Sequence, residues 1–94
     1  MIPVARREML RAAQWYDQRV PGLGSELLDE IRTGLLAIRD FPLAQPIIDP
    51  PFRRALVDRF PYALIYRIEA EDIVIVAVAN LKRRPGYWRR RGSA

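Results

Sequence analysis

Cysteine and histidine are both absent from the chain. Without them there is no disulfide framework, zinc finger, thiol nucleophile, Ser-His-Asp triad or imidazole proton shuttle. A metal centre would have to be built from carboxylates alone, so neither a metal nor another cofactor is expected. Glycine is scarce at five residues, and Gly22-Leu23-Gly24 is a turn, not a phosphate-cradling loop. Long apolar runs are missing too. The longest is Ile73 to Ala79, seven residues, where a membrane-spanning helix needs about 20. The start, Met1 to Arg7, has two arginines but no apolar stretch behind them of the kind a secretory leader carries. These absences point to a soluble, cytoplasmic protein with no membrane partner.

What is present is apolar and basic. Half of the residues are hydrophobic, which supports a packed core, and 94 residues suffice for one domain spanning 1–94. The net charge of +5 is unevenly placed. Residues 1–50 hold six basic and seven acidic side chains, a net of −1; residues 51–94 hold ten and four, a net of +6. Lys82 is the sole lysine among the 16 basic residues, which leaves 15 arginines. Arginine's planar fork makes bidentate contacts to phosphate and carboxylate, so this bias suggests an anionic partner: nucleic acid or an acidic protein segment.

The periodicity predicts helix first and strand later. From Pro3 to about Gln18, Met9, Ala12, Ala13 and Tyr16 follow a helical stripe, with Trp15 beside it, and both aromatics are expected in the core. Val20-Pro21-Gly22-Leu23-Gly24 breaks the chain. A second helix is expected from about Leu23 to Arg39, with Leu27, Leu28, Ile31, Leu35 and Ile38 on one face. Its acidic residues, with Asp17 before it, read as solvated charges. Phe41-Pro42 ends that helix, and the proline-rich stretch 41–52 reads as an extended linker. Three strands follow: Phe52 to Arg59, Tyr62 to Glu69, and the doubly apolar Ile73 to Ala79, the last two joined as an antiparallel hairpin. Tyr62 and Tyr66 share one side of their strand and are assigned to core packing. The expected fold is α+β: an N-terminal two-helix hairpin packed on a small, mainly antiparallel three-stranded sheet.

The order of these segments resembles the RelE/ParE family of bacterial toxins from type II toxin–antitoxin systems. Arg53-Arg54-Ala55-Leu56-Val57-Asp58-Arg59-Phe60-Pro61-Tyr62 carries most of the likeness. Ala12 to Tyr16 with the turn at 21–24, Ile38 to Pro42, and the last strand with Lys82-Arg83-Arg84-Pro85-Gly86-Tyr87-Trp88 carry the rest. The family's opening β-strand is missing here or cut to a stub, because only Met1 and Ile2 precede Pro3. Asn80 stands where many relatives have histidine, and Ala63 where RNA-cleaving members have arginine.

The resemblance implies two chemistries. RelE-like members cut messenger RNA on the ribosome; ParE-like members bind DNA gyrase and poison it. Cleavage by 2′-hydroxyl attack needs a base, charge stabilisation at the phosphate and an acid. For a nuclease the candidate catalytic residues are Lys82, Arg83 and Tyr87. Arg53, Arg54, Arg59, Arg84, Trp88, Arg89 and Arg90 are the candidates for binding a target or an acidic antitoxin. Ala63, Asn80 and the absent histidine tilt the expectation toward a gyrase-binding toxin neutralised by a cognate antitoxin in a hetero-oligomer. A ribosome-dependent mRNA endonuclease is the alternative, and a non-toxic nucleic-acid-binding module the third reading.

Overall fold

A computed structural model describes residues 1–91. Two helices, α1 (Pro3–Arg19) and α2 (Leu23–Asp40), are followed by four strands: β1 (Ile47–Asp49), β2 (Phe52–Leu56), β3 (Tyr62–Glu69) and β4 (Asp72–Asn80). The strands form one antiparallel sheet in the order β1-β2-β3-β4. This is the two-helix unit on an antiparallel sheet that the periodicity and the RelE/ParE resemblance anticipate.

α1 starts on Pro3, whose missing N–H is no loss in a first turn. Just before it, the Ile2 N–H donates to the Ile75 carbonyl at 3.0 Å, so the expected stub exists as a single main-chain bond on β4. Ala5, Ala12 and Ala13 are buried along α1, and α2 approaches closely at Ala13. Gly22 reverses the chain at φ 90°. Gly24 then lies so near α1 that a Cβ would stand 2.3 Å from the Ala13 carbonyl oxygen. Its N–H donates to Asp17 Oδ1 at 2.7 Å, satisfying one of the orphan donors at the start of α2. Asp17 is therefore a structural acceptor and not merely a solvated charge. In α2 the predicted stripe is confirmed, with Leu27, Ile31 and Ile38 buried against the sheet.

The sheet separates two apolar layers. Ala55, Leu64, Tyr66, Ile75 and Val78 face the helices, joined by Phe60. Phe52, Ala63, Ile65, Val76, Ala77 and Ala79 face the other way and are covered by Trp88 from the C-terminal segment. Strand β4 is buried on both sides, which is why its run is apolar throughout. Ile65 pairs with Ala77 and Tyr66 with Ile75, so Val76 is the extra residue of a β-bulge. That extra residue puts Val76 and Ala77, neighbours in sequence, in the same layer. Fully burying each large side chain such as Leu27, Ile31 or Leu64 stabilises the domain by about 1.5–3 kcal/mol.

Three expectations need correction. The proline-rich stretch is more than a linker: it contains β1, giving four strands in place of three. The Arg54 N–H donates to the Pro46 carbonyl at 3.1 Å, and the Arg53 guanidinium donates to the Gln45 carbonyl at 2.7 Å. These long-range bonds hold the segment to the sheet edge despite its prolines. The second correction is that β2 stops at Leu56, because Arg59 turns at φ 68° and leads into Phe60-Pro61. Finally, Trp15 is 48% exposed, whereas Tyr16 packs on Phe60 with ring centroids 5.1 Å apart. Trp15 lies off the buried stripe, under the Arg19 guanidinium at 3.4 Å. Among the described residues no helix is long and apolar enough to cross a membrane.

Candidate functional site

The basic C-terminal segment leaves β4 at Asn80, turns over residues 81–86 and folds back across the sheet face opposite the helices. Two backbone devices set this path. The Lys82 N–H donates to Asn80 Oδ1 at 2.9 Å, and the Arg83 N–H to the Asn80 carbonyl at 3.0 Å, so Asn80 caps the strand exit. Gly86, at φ 82°, then allows the return.

Arg83 and Tyr87 converge on a residue 75 or more positions earlier, Glu8 of α1. Glu8 Oε2 accepts from the Tyr87 hydroxyl at 2.7 Å and lies 3.5 Å from the Arg83 guanidinium. Glu8 Oε1 accepts from Arg91 at 2.7 Å and from the Val78 N–H at 3.1 Å. Two cations stand over the Tyr87 ring, Arg83 3.6 Å and Arg91 4.8 Å from its centroid. Partial burial, followed by the hydrogen bond to Glu8 and that carboxylate's charge, pushes the Tyr87 phenol up to about 12, against a smaller opposing pull from the two arginines. Tyr87 is therefore a firmly protonated donor whose proton is already committed to Glu8.

Two concavities flank this cluster. A groove of about 470 Å³ on the helix side is lined by Trp15, Tyr16, Tyr62, Arg11, Lys82 and Arg83, among others. A cleft of about 120 Å³ on the other face has Arg54, Ala63, Arg84 and Trp88 in its walls. Arg83, Asn80 and Tyr87 border both and form the ridge between them. In the groove, Asn80 Nδ2 donates to the Tyr62 hydroxyl at 3.5 Å, and burial raises the Tyr62 phenol above its usual value.

The candidate residues thus divide. Arg83 and Tyr87 are brought together, while the Lys82 side chain stays exposed with no ion pair among the described residues. Arg54, Arg84 and Arg90 are also exposed, with no ion pair among the described residues. Arg53 spends its guanidinium on the Leu43 and Gln45 carbonyls. Arg59 pairs with Glu26 at 2.8 Å, and that hydrogen bond raises its already high pKa. Arg89 pairs with Asp49 of β1. Trp88, expected on the binding surface, is 5% exposed and packs edge-on against Phe52 at 4.8 Å. It sits in the interior because the C-terminal segment is the lid of the second apolar layer.

Glu8 is the residue that sequence reasoning missed. It sits in the first helix among exposed arginines, and nothing local distinguishes it from a solvated charge. Ala63 is fully buried and lines the cleft with only a methyl group. Among the described residues no group of three or more acidic side chains is placed to hold a metal ion.

A family model described as the ParE toxin of type II toxin–antitoxin systems, parDE, matches residues 3–85. No curated protein and no solved structure gives a significant match.

Proposed function

The chain belongs to the ParE toxin family, the toxin side of type II toxin–antitoxin systems, and from that premise we propose that it arrests growth by binding DNA gyrase, not by cutting RNA. As a toxin of this class it is paired with a cognate antitoxin protein. The observation that carries the binding reading is the state of the nuclease candidates. Glu8 engages both Arg83 and Tyr87, and the cleft floor at Ala63 is a methyl group. A phosphate approaching Arg83 and Tyr87 would meet the Glu8 carboxylate, which already engages both of them.

Binding falls to the cations that have no ion pair among the described residues. Arg54 and Arg84 line the small cleft, and Arg90 and Lys82 extend the positive surface around it. An arginine that already holds a carboxylate, such as Arg59 or Arg89, must give up that contact before it serves a target, so its net gain is small. Acidic positions on the antitoxin complement this surface, whose half of the chain carries the +6 excess.

The test is a purified gyrase supercoiling assay run beside mapping of messenger RNA ends in expressing cells. Supercoiling inhibition with intact messages is the expected result. Arg54→Ala with Arg84→Ala should weaken inhibition by roughly tenfold or more, from the loss of two charge-assisted contacts. Unaffected gyrase, with messages cut at discrete codons until Arg83→Ala or Tyr87→Ala stops it, would replace this reading with the endonuclease.

A further inference from the structure

The groove of about 470 Å³ on the helix side lies apart from the cleft that holds Arg54 and Arg84. Its volume is within the roughly 300–1,000 Å³ that small-molecule sites occupy. Part of its lining is aromatic. Trp15 and Tyr16, in the last turns of α1, meet Tyr62 at the start of β3. Trp15 stands edge-on to Tyr16 with ring centroids 4.9 Å apart, and Tyr16 to Tyr62 at 6.4 Å. Trp15 is 48% exposed yet held in place by Arg19. The Arg19 guanidinium lies 3.4 Å from the centroid of the indole and donates to the Trp15 carbonyl at 3.0 Å. An exposed ring fixed in this way is a pre-organised surface for stacking.

The rest of the lining supplies charge and hydrogen-bonding groups. Arg11 stands one helical turn before Trp15, on the same face of α1. Arg11 and Lys82 are exposed and have no ion pair among the described residues. Glu8 is the one carboxylate in the lining, and its oxygens are taken by Tyr87, Arg83, Arg91 and the Val78 N–H. The groove is therefore positive. Asn80 Nδ2 directs one of its two N–H groups to the Tyr62 hydroxyl at 3.5 Å. Its second N–H and the hydroxyl's own proton remain to be donated.

We propose that this groove binds a free nucleoside phosphate, with the base against the Trp15–Tyr62 aromatics and the phosphate on Arg11 and Lys82. Charge complementarity and ring chemistry together select that occupant. A simple oxyanion would use the two cations and leave the aromatic rings idle. A neutral apolar ligand would use the rings and leave the cations unpaired. A nucleoside phosphate uses both, and its base offers ring nitrogens and exocyclic groups to Asn80 and Tyr62. Lys82 also belongs to the positive surface assigned to the target, so an occupied groove withdraws one cation from that surface. The site itself does not depend on which target the toxin binds.

The full chain carrying Trp88→Phe retains Trp15 as its sole tryptophan, whose fluorescence reports stacking. Titration with adenosine monophosphate (AMP) should quench that fluorescence saturably, in the micromolar to low millimolar range. Calorimetric titration of the parent chain should give the same constant. Adenosine and ribose phosphate, each lacking one half of the ligand, should bind at least about tenfold more weakly. Arg11→Ala with Lys82→Ala should weaken AMP binding by roughly tenfold or more, and Trp15→Ala by about fivefold or more in calorimetry. All three side chains are exposed, so these variants should keep the parent's circular dichroism and unfolding midpoint. The absence of saturable AMP binding, ribose phosphate binding as tightly as AMP, or affinity unchanged in the variants overturns the proposal. A single-stranded RNA hexamer or an acidic peptide that binds more than about tenfold tighter than AMP also overturns it, since the groove is then a strand track or a protein-docking surface. Gyrase inhibition enters none of these readouts, so failure here leaves the target reading standing.

Discussion

Replacing Trp88 with alanine should cost far more stability than removing a surface contact residue would. Trp88 is buried to 5% exposure, packs on Phe52, and is the piece of the C-terminal segment that seals the layer of Ile65, Val76 and Ala77. Truncating a buried tryptophan costs about 3–5 kcal/mol, from lost transfer energy plus the cavity left behind. A chain of 94 residues is typically stable by about 5–14 kcal/mol, so the variant loses about a fifth or more of its margin. At this size each kcal/mol moves Tm by about 4–8 °C, which predicts a fall of about 12 °C at least. Urea unfolding followed by circular dichroism measures this directly, with the midpoint falling by roughly 1–5 M. Trp88→Phe keeps an aromatic ring against Phe52 and should lose clearly less than the alanine variant. A loss below about 1 kcal/mol for Trp88→Ala, with the m-value unchanged, would show that the segment does not cover the sheet as described.

Gly24→Ala should destabilise by about 1–3 kcal/mol in the same unfolding experiment, because the new methyl meets the Ala13 carbonyl, which is backbone and cannot swing aside; wild-type stability would refute the close helix crossing. Tyr87 should titrate near 12 in a tyrosinate absorbance measurement, and Glu8→Gln should move that midpoint down toward 10, since Glu8 is a cause of the rise. The native phenol lies above its unfolded value of 10, so its contribution to stability is complete below pH 10 and is lost as pH climbs from 10 to about 12. Tyr87→Phe should remove that component of the alkaline slope, and an unchanged slope would contradict the Glu8 contact.

The elements visible in the sequence are those fixed by local periodicity. The α2 stripe and the doubly apolar β4 each announce themselves within about ten residues, because the burial pattern repeats at the element's own period. The helix-on-sheet arrangement follows, since each apolar face has only one partner of sufficient area. β1 was not legible, since its existence depends on Arg53 and Arg54 reaching back across the proline stretch to the carbonyls of Gln45 and Pro46. Proline content reports what a segment cannot donate; it says nothing of what its carbonyls accept. Trp15 misled for a related reason: hydrophobicity alone places a tryptophan inside, but its angular position on α1 puts it one residue off the stripe that Tyr16 occupies. The site was half visible. Arg83 and Tyr87 stood out by composition and by family likeness, whereas their organiser, Glu8, became recognisable only when the fold closed 75 residues of separation to 3.5 Å.

The bond between Glu8 and Arg91 also sets an order in time. Glu8 leaves the ribosome 83 positions ahead of Arg91. At a synthesis rate of about 5–20 residues per second, the nascent chain spends roughly 4–17 s with helix α1 made and its counterpart still unwritten. Throughout that interval β4 either is not yet present or lacks Arg91. The Glu8–Arg91 contact therefore closes after the elements it fastens are made, and a message truncated before Arg91 yields a chain that has its helices and strands but lacks that contact.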